Sequence, residues 1–133
     1  GGTLSLSNGV RVEIPAGALA EPMRITLSQG AEGHAFRDLE SQRPLGPMIN
    51  LAPLIRSQGE PFVVSAPEQP LPAGWGPADL AFAMEEIDDE QRAIDTVGTQ
   101  TRWQFYPVQV ENRRFTVHTD QLMGHRLQFG VAR

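Results

Sequence analysis

Cysteine is absent from this 133-residue chain. That excludes disulfides, thiolate metal sites and a cysteine nucleophile together. Such a chain fits any compartment, and bacterial exported β-domains often fold this way, without oxidation. Lysine is absent as well, so no Ser-x-x-Lys pair exists. Basic charge is not in excess: the net charge of −5 argues against a nucleic-acid-binding face. No apolar run approaches the ~20 residues of a membrane-spanning helix. No signal peptide is visible. The Gly1-Gly2 start reads as an excised or processed piece of a longer chain. What remains is 40% hydrophobic and 20% charged, which excludes a disordered reading. The length predicts one domain over 1–133, with a core that needs no staples.

Short alternating runs punctuated by turn residues fill the sequence. Leu4 and Leu6 alternate with polar residues, as do Val10, Val12 and Ile14. Asn8-Gly9 between them is a strong hairpin signal, because both residue types accept φ > 0. Pro15-Ala16-Gly17-Ala18-Leu19 forms a corner, in which Pro15 ends the ladder and Gly17 permits a tight bend. Further strands are predicted at 23–28, 48–51, 61–66, 79–85, 102–106, 114–118 and 127–131. The alternation places Leu80, Phe82 and Met84 on one face, and Leu127, Phe129 and Val131 on another. Trp103 and Phe105 share a face and read as core. Many short strands separated by Gly, Pro and Asn predict an all-β fold, an antiparallel β-sandwich. Three segments break the pattern. Residues 29–44 read as a long polar loop, 67–78 as a Pro-rich connection carrying Trp75, and 85–100 as an acidic tip.

Three pieces of the chain carry a family resemblance. The first is Gly1-Gly2-Thr3-Leu4 with Asn8-Gly9-Val10 and the corner Ile14-Pro15-Ala16-Gly17-Ala18-Leu19. The second is Leu45-Gly46-Pro47 through Leu51-Ala52-Pro53, then Phe62-Val63-Val64-Ser65-Ala66-Pro67. The third is Trp103 with the two short strands that lead to Val131. Together they resemble a ZU5 domain, the β-sandwich of ankyrins, netrin receptors, tight-junction scaffolds and death-domain proteins. The resemblance implies an interaction or structural role. ZU5-like domains also occur on exported or envelope proteins of bacteria, which this composition suits better than an animal scaffold. Some ZU5 domains cut themselves at a His-Phe-Ser motif before the last strand. The matching place, Thr119 to Met123, has no His-Phe-Ser, and Met123 cannot serve as a nucleophile, so the resemblance does not imply self-cleavage.

Catalytic chemistry finds little to stand on. Nucleophilic catalysis needs Ser or Thr beside an oriented base. The histidines are His34, His118 and His125, and there is no Gly-x-Ser-x-Gly elbow. His118 and Asp120 are the nearest approach to a pair, and they read as a polar strand end. No His pair has zinc-ligand spacing. The cluster Glu85, Glu86, Asp88, Asp89 and Glu90 could offer oxygens to Ca²⁺, but it lacks the spacing of a defined loop and reads as a solvated tip. The basic pair Arg113-Arg114 reads as a solvated turn rather than a phosphate contact.

No catalytic residue, cofactor or metal is therefore assigned. The expected function is non-enzymatic: a protein-interaction or structural module of a larger bacterial protein, exported or in the cell envelope, with a cytoplasmic setting as the alternative. Its partner would be another protein or a neighbouring domain of the same chain, met through a sheet edge or the loops at 29–44 and 67–78. Trp75, Phe36 and Arg37 are the candidate contact residues. The alternative is a glycan or peptide site on Trp75, whose ring would suit sugar CH surfaces.

Overall fold

The computed structural model describes residues 1–30, 35–36, 40–86, 102–122 and 126–133, with Glu86 and Arg102 described as backbone only. Arg37 and most of the acidic tip lie outside the described residues. All strand pairings are antiparallel. One sheet contains β1 (Gly2–Ser5), β2 (Arg11–Ile14), β7 (Phe62–Pro67), β11 (Arg114–Thr119) and β10 (Gln109–Glu111), in that spatial order. The other runs β3 (Thr26–Gln29), β5 (Ile49–Ala52), β13 (Arg126–Ala132), β8 (Leu80–Glu86) and β9 (Arg102–Pro107). In that second sheet β4 (Gln42–Pro44) pairs with the C-terminal half of β13, beyond the reach of β5. A small ribbon joins β6 (Ile55–Arg56) to β12 (Gln121–Leu122). A 3-10 turn, Pro77–Asp79, precedes β8.

The inner faces of the two sheets share one apolar core, so the fold is sandwich-like. Val12, Val64, Phe115 and Val117 come from the first sheet. Ile49, Leu51, Phe82, Met84, Leu127, Phe129 and Val131 come from the second. Each set follows the period of two that makes a strand amphipathic. Phe82 and Phe129 face each other across the β8–β13 pair, with ring centroids 4.9 Å apart.

β8 and β13 are buried on both faces, which alternation alone does not predict. The outer face of β8 presents Ala81 and Ala83, and β13 presents Gln128 and Gly130 beside them. These small side chains leave room for Phe36, which is fully buried there with Ala35. Gln128 is itself buried and holds both covering segments. Its Oε1 accepts from the Ala35 amide at 2.9 Å, and its Nε2 donates to the Gly46 carbonyl at 2.8 Å. The polar segment 29–44 is therefore not simply a loop: it contains β4, and part of it roofs the second sheet.

Trp103 and Phe105 lie on that outer face, contrary to the expectation that they join the main core. The register sets Glu85 opposite Trp103 and Ala83 opposite Phe105, so both share the face of Ala81 and Ala83. Trp103 packs on the outer cluster. Phe105 is 40% exposed and meets the Phe36 ring edge-on at 5.3 Å. Tyr106, opposite Phe82, is the β9 residue that packs against the main core. Alternation separates two faces, but only pairing decides which one is inside.

The first hairpin also differs from a two-residue Asn-Gly turn. Leu6 N donates to Val10 O at 2.9 Å and Gly9 N to Leu6 O at 3.0 Å, which closes a three-residue loop of Ser7, Asn8 and Gly9. Only Gly9 has positive φ, at 93°, while Asn8 accepts the Val10 amide with its side chain. The two-residue turn is Asn112-Arg113 instead, with φ of 50° and 60° between β10 and β11. The Pro15 corner forms as expected. Ala18 N donates to Pro15 O at 3.1 Å around Gly17, whose φ is 79°, and Ala18 is fully buried.

Candidate interaction surfaces

Phe36 and Trp75, the sequence-derived contact residues that are described, do not form one surface. Phe36 is fully buried, so it is a packing residue and is not presented to a partner. Its polar neighbours in sequence conceal this, because the pocket that receives it is made by Ala81, Ala83 and Gly130 far along the chain. Arg37 lies outside the described residues.

Trp75 is half-buried, and its body packs on the main core. The Arg133 guanidinium carbon lies 4.1 Å from its ring centroid. Arg133 is held in turn by Asp79 Oδ2 at 3.3 Å and by the Gly74 carbonyl. The same Asp79 oxygen accepts the Gly76 amide at 2.9 Å. A sugar platform needs an open ring face, and here a cation already occupies one. The loop is a plug tied down at its tip.

A different surface lies along the open side of the sandwich. β1 and β3 are edge strands of the two sheets. At the hairpin tip Asn8 Nδ2 donates to Gln29 Oε1 at 3.3 Å, bridging the two edges. Away from that bridge the connection from the Pro15 corner to β3 stands apart from β1, leaving a groove of about 510 Å³. Leu4, Ile14, Leu19, Met23 and Ile25 line it. Met23 is 48% exposed, the most exposed large apolar side chain among the described residues. The edge itself has free valence. Leu6 bonds Val10 and Leu4 lies opposite Val12, so the antiparallel alternation gives Leu4 and Gly2 the bonds to β2. The backbone groups of Thr3 and Ser5 therefore point outward, and no described strand lies beyond them.

Several of the described side chains that could do chemistry are engaged elsewhere. His118 Nε2 meets Glu111 Oε2 at 3.0 Å on an exposed face. Thr119 Oγ1 donates to Gln121 O, and Ser57 Oγ to Glu60 O. Glu85 of the acidic cluster is bound by Arg126 through two contacts of 3.1 Å. Asp88, Asp89 and Glu90 lie outside the described residues, as do His34 and His125. Among the described residues no group of three His, Asp or Glu could hold a metal ion, and no helix is long and apolar enough to cross a membrane. No family model, curated protein or solved structure matches this chain, so the ZU5 resemblance rests on the residues that carry it.

Proposed function

We propose that this chain is a non-enzymatic interaction module that takes an extended segment of another protein, or of a neighbouring domain, along β1. The observation that carries the reading is the pairing of a free strand edge with an apolar groove beside it. An added strand would bond the outward groups of Thr3 and Ser5, and every second side chain would enter the groove toward Met23 and Ile25. The occupant is therefore an extended peptide with apolar residues at alternate positions. The ZU5 resemblance supports a setting on an exported or cell-envelope protein of bacteria.

The test uses the purified domain as bait in an envelope fraction and a lysate, with retained proteins identified by mass spectrometry. Thr3→Pro removes an outward donor without touching the bonds of β1 to β2. Met23→Glu places a charge in the groove. Both variants should keep the wild-type melting temperature within a few degrees and lose the partner. Retention of the same protein by both folded variants would refute the reading.

A further inference from the structure

The outer face of the first sheet holds a second concavity, unrelated to the β1 edge. Its floor is made by two short side chains in one cross-strand row: Arg11 pairs with Ser65, and Ser65 with Thr116. Ser65 and Thr116 are buried although they face outward. Longer side chains stand around them, so the row is a hollow of about 490 Å³ walled by Arg11, Arg113 and Arg114.

Three arginines converge here on a chain of net charge −5. None of them has a carboxylate within ion-pair distance: among the described residues the pairs are His118–Glu111, Arg126–Glu85 and Arg133–Asp79. Glu13 and Glu111 stand on the rim, so the lining carries a surplus of one positive charge. Arg114 is already aimed. Its Nε donates to Ser65 Oγ at 3.0 Å, and its NH2 group grips the Gly9 carbonyl. The Ser65 hydroxyl, accepting from Arg114, keeps its own proton to donate. Arg114 is harder to protonate than an ordinary arginine, first because it is partly buried and second because Arg11 repels it. Glu13 pulls the other way, and an anion in the hollow would add to its effect, offsetting the repulsion by Arg11.

We propose that this hollow binds a tetrahedral oxyanion, phosphate or sulfate, free or as an ester on a small ligand. The guanidinium forks of Arg11 and Arg113 close on it from the rim, and Arg114 with Ser65 meets it from the floor.

The test is a titration of the ¹⁵N-labelled chain in dilute buffer free of both anions, with inorganic phosphate in one arm and a sulfated disaccharide in the other. Saturable shifts are expected at Arg11, Ser65, Arg113, Arg114 and Thr116. Saturation by phosphate identifies the free anion as sufficient; saturation by the disaccharide alone identifies the ester. The double variant Arg11→Gln with Arg113→Asn removes two walls and spares the Arg114 clamp, and Asn tolerates the turn's positive φ. It should weaken binding by about threefold or more, the size of a good solvent-exposed ion pair. Glu13→Gln should tighten it, since it removes a rim carboxylate. No saturable shift in either arm, or equal affinity in the double variant and Glu13→Gln, would overturn the proposal.

Discussion

Replacing Gln128 by leucine tests how the outer roof of the second sheet is held. Gln128 is 2% exposed and spans two covering segments, with bonds of 2.9 and 2.8 Å to Ala35 N and Gly46 O. Leucine is close in volume but can make neither bond. Ala35 is 4% exposed, so its amide loses its acceptor with little access to water. An orphaned buried donor costs about 1–3 kcal/mol. Gly46 is only half-buried, and its carbonyl can turn to solvent for about 0.5–1 kcal/mol. Burying leucine instead of an amide returns about 1 kcal/mol. The net loss is about 0.5–3 kcal/mol, a fall in melting temperature of about 2–10 °C for a chain of this length. Thermal unfolding followed by circular dichroism reads the total. Amide hydrogen exchange locates it: Ala35 should be protected in the wild type and exchange rapidly in Gln128→Leu, while Val64 and Phe82 stay protected. Unchanged stability, or unchanged protection at Ala35, would show that the roof does not depend on Gln128.

Three further outcomes follow from particular contacts. Gly130→Ala places a Cβ 2.5 Å from Phe36 Cζ and 2.6 Å from the Arg43 carbonyl, so it should cost about 1–3 kcal/mol, with part of the cost lost in a Phe36→Leu background; urea unfolding of the double-mutant cycle measures both. Gly9→Ala combines φ of 93° with a Cβ 2.5 Å from Pro67 Cγ, and should destabilise by about 1–3 kcal/mol, whereas Gly74→Ala, with nothing near its Cβ, should show only the backbone part; equal losses would sink that distinction. Arg133→Gln should uncover the Trp75 ring and shift its fluorescence while costing no more than about 1 kcal/mol; an unchanged spectrum would mean that the guanidinium does not sit on the ring in solution.

Much of the strand inventory was legible in the residues. The runs that became β5, β7, β8, β11 and β13 alternate apolar and polar residues or carry apolar runs between turn signals, and period two is a local property of the backbone. The Pro15 corner was legible for the same reason, since Gly17 supplies a positive φ that few residues adopt. β4 was hidden, because Gln42, Arg43 and Pro44 carry no alternation; they become a strand only through the free side of β13. Trp103 and Phe105 were legible as a pair on one face, but the face was settled by their register with β8. Phe36 looked like a loop aromatic until Ala81, Ala83 and Gly130 were assembled into the socket beneath it.

The two candidate surfaces belong to the tertiary structure altogether. The groove beside β1 exists because the chain crosses from one sheet to the other between Leu19 and Ile25 and leaves an edge uncovered. The arginine hollow joins positions 11, 65 and 113–116, which no local pattern connects. Side-chain period and turn chemistry act over a few residues, so the sequence by itself determined that strands form and where several of them bend. Register and sheet order act between residues far apart, and they alone decided which faces are buried, which edges are free and which charges meet.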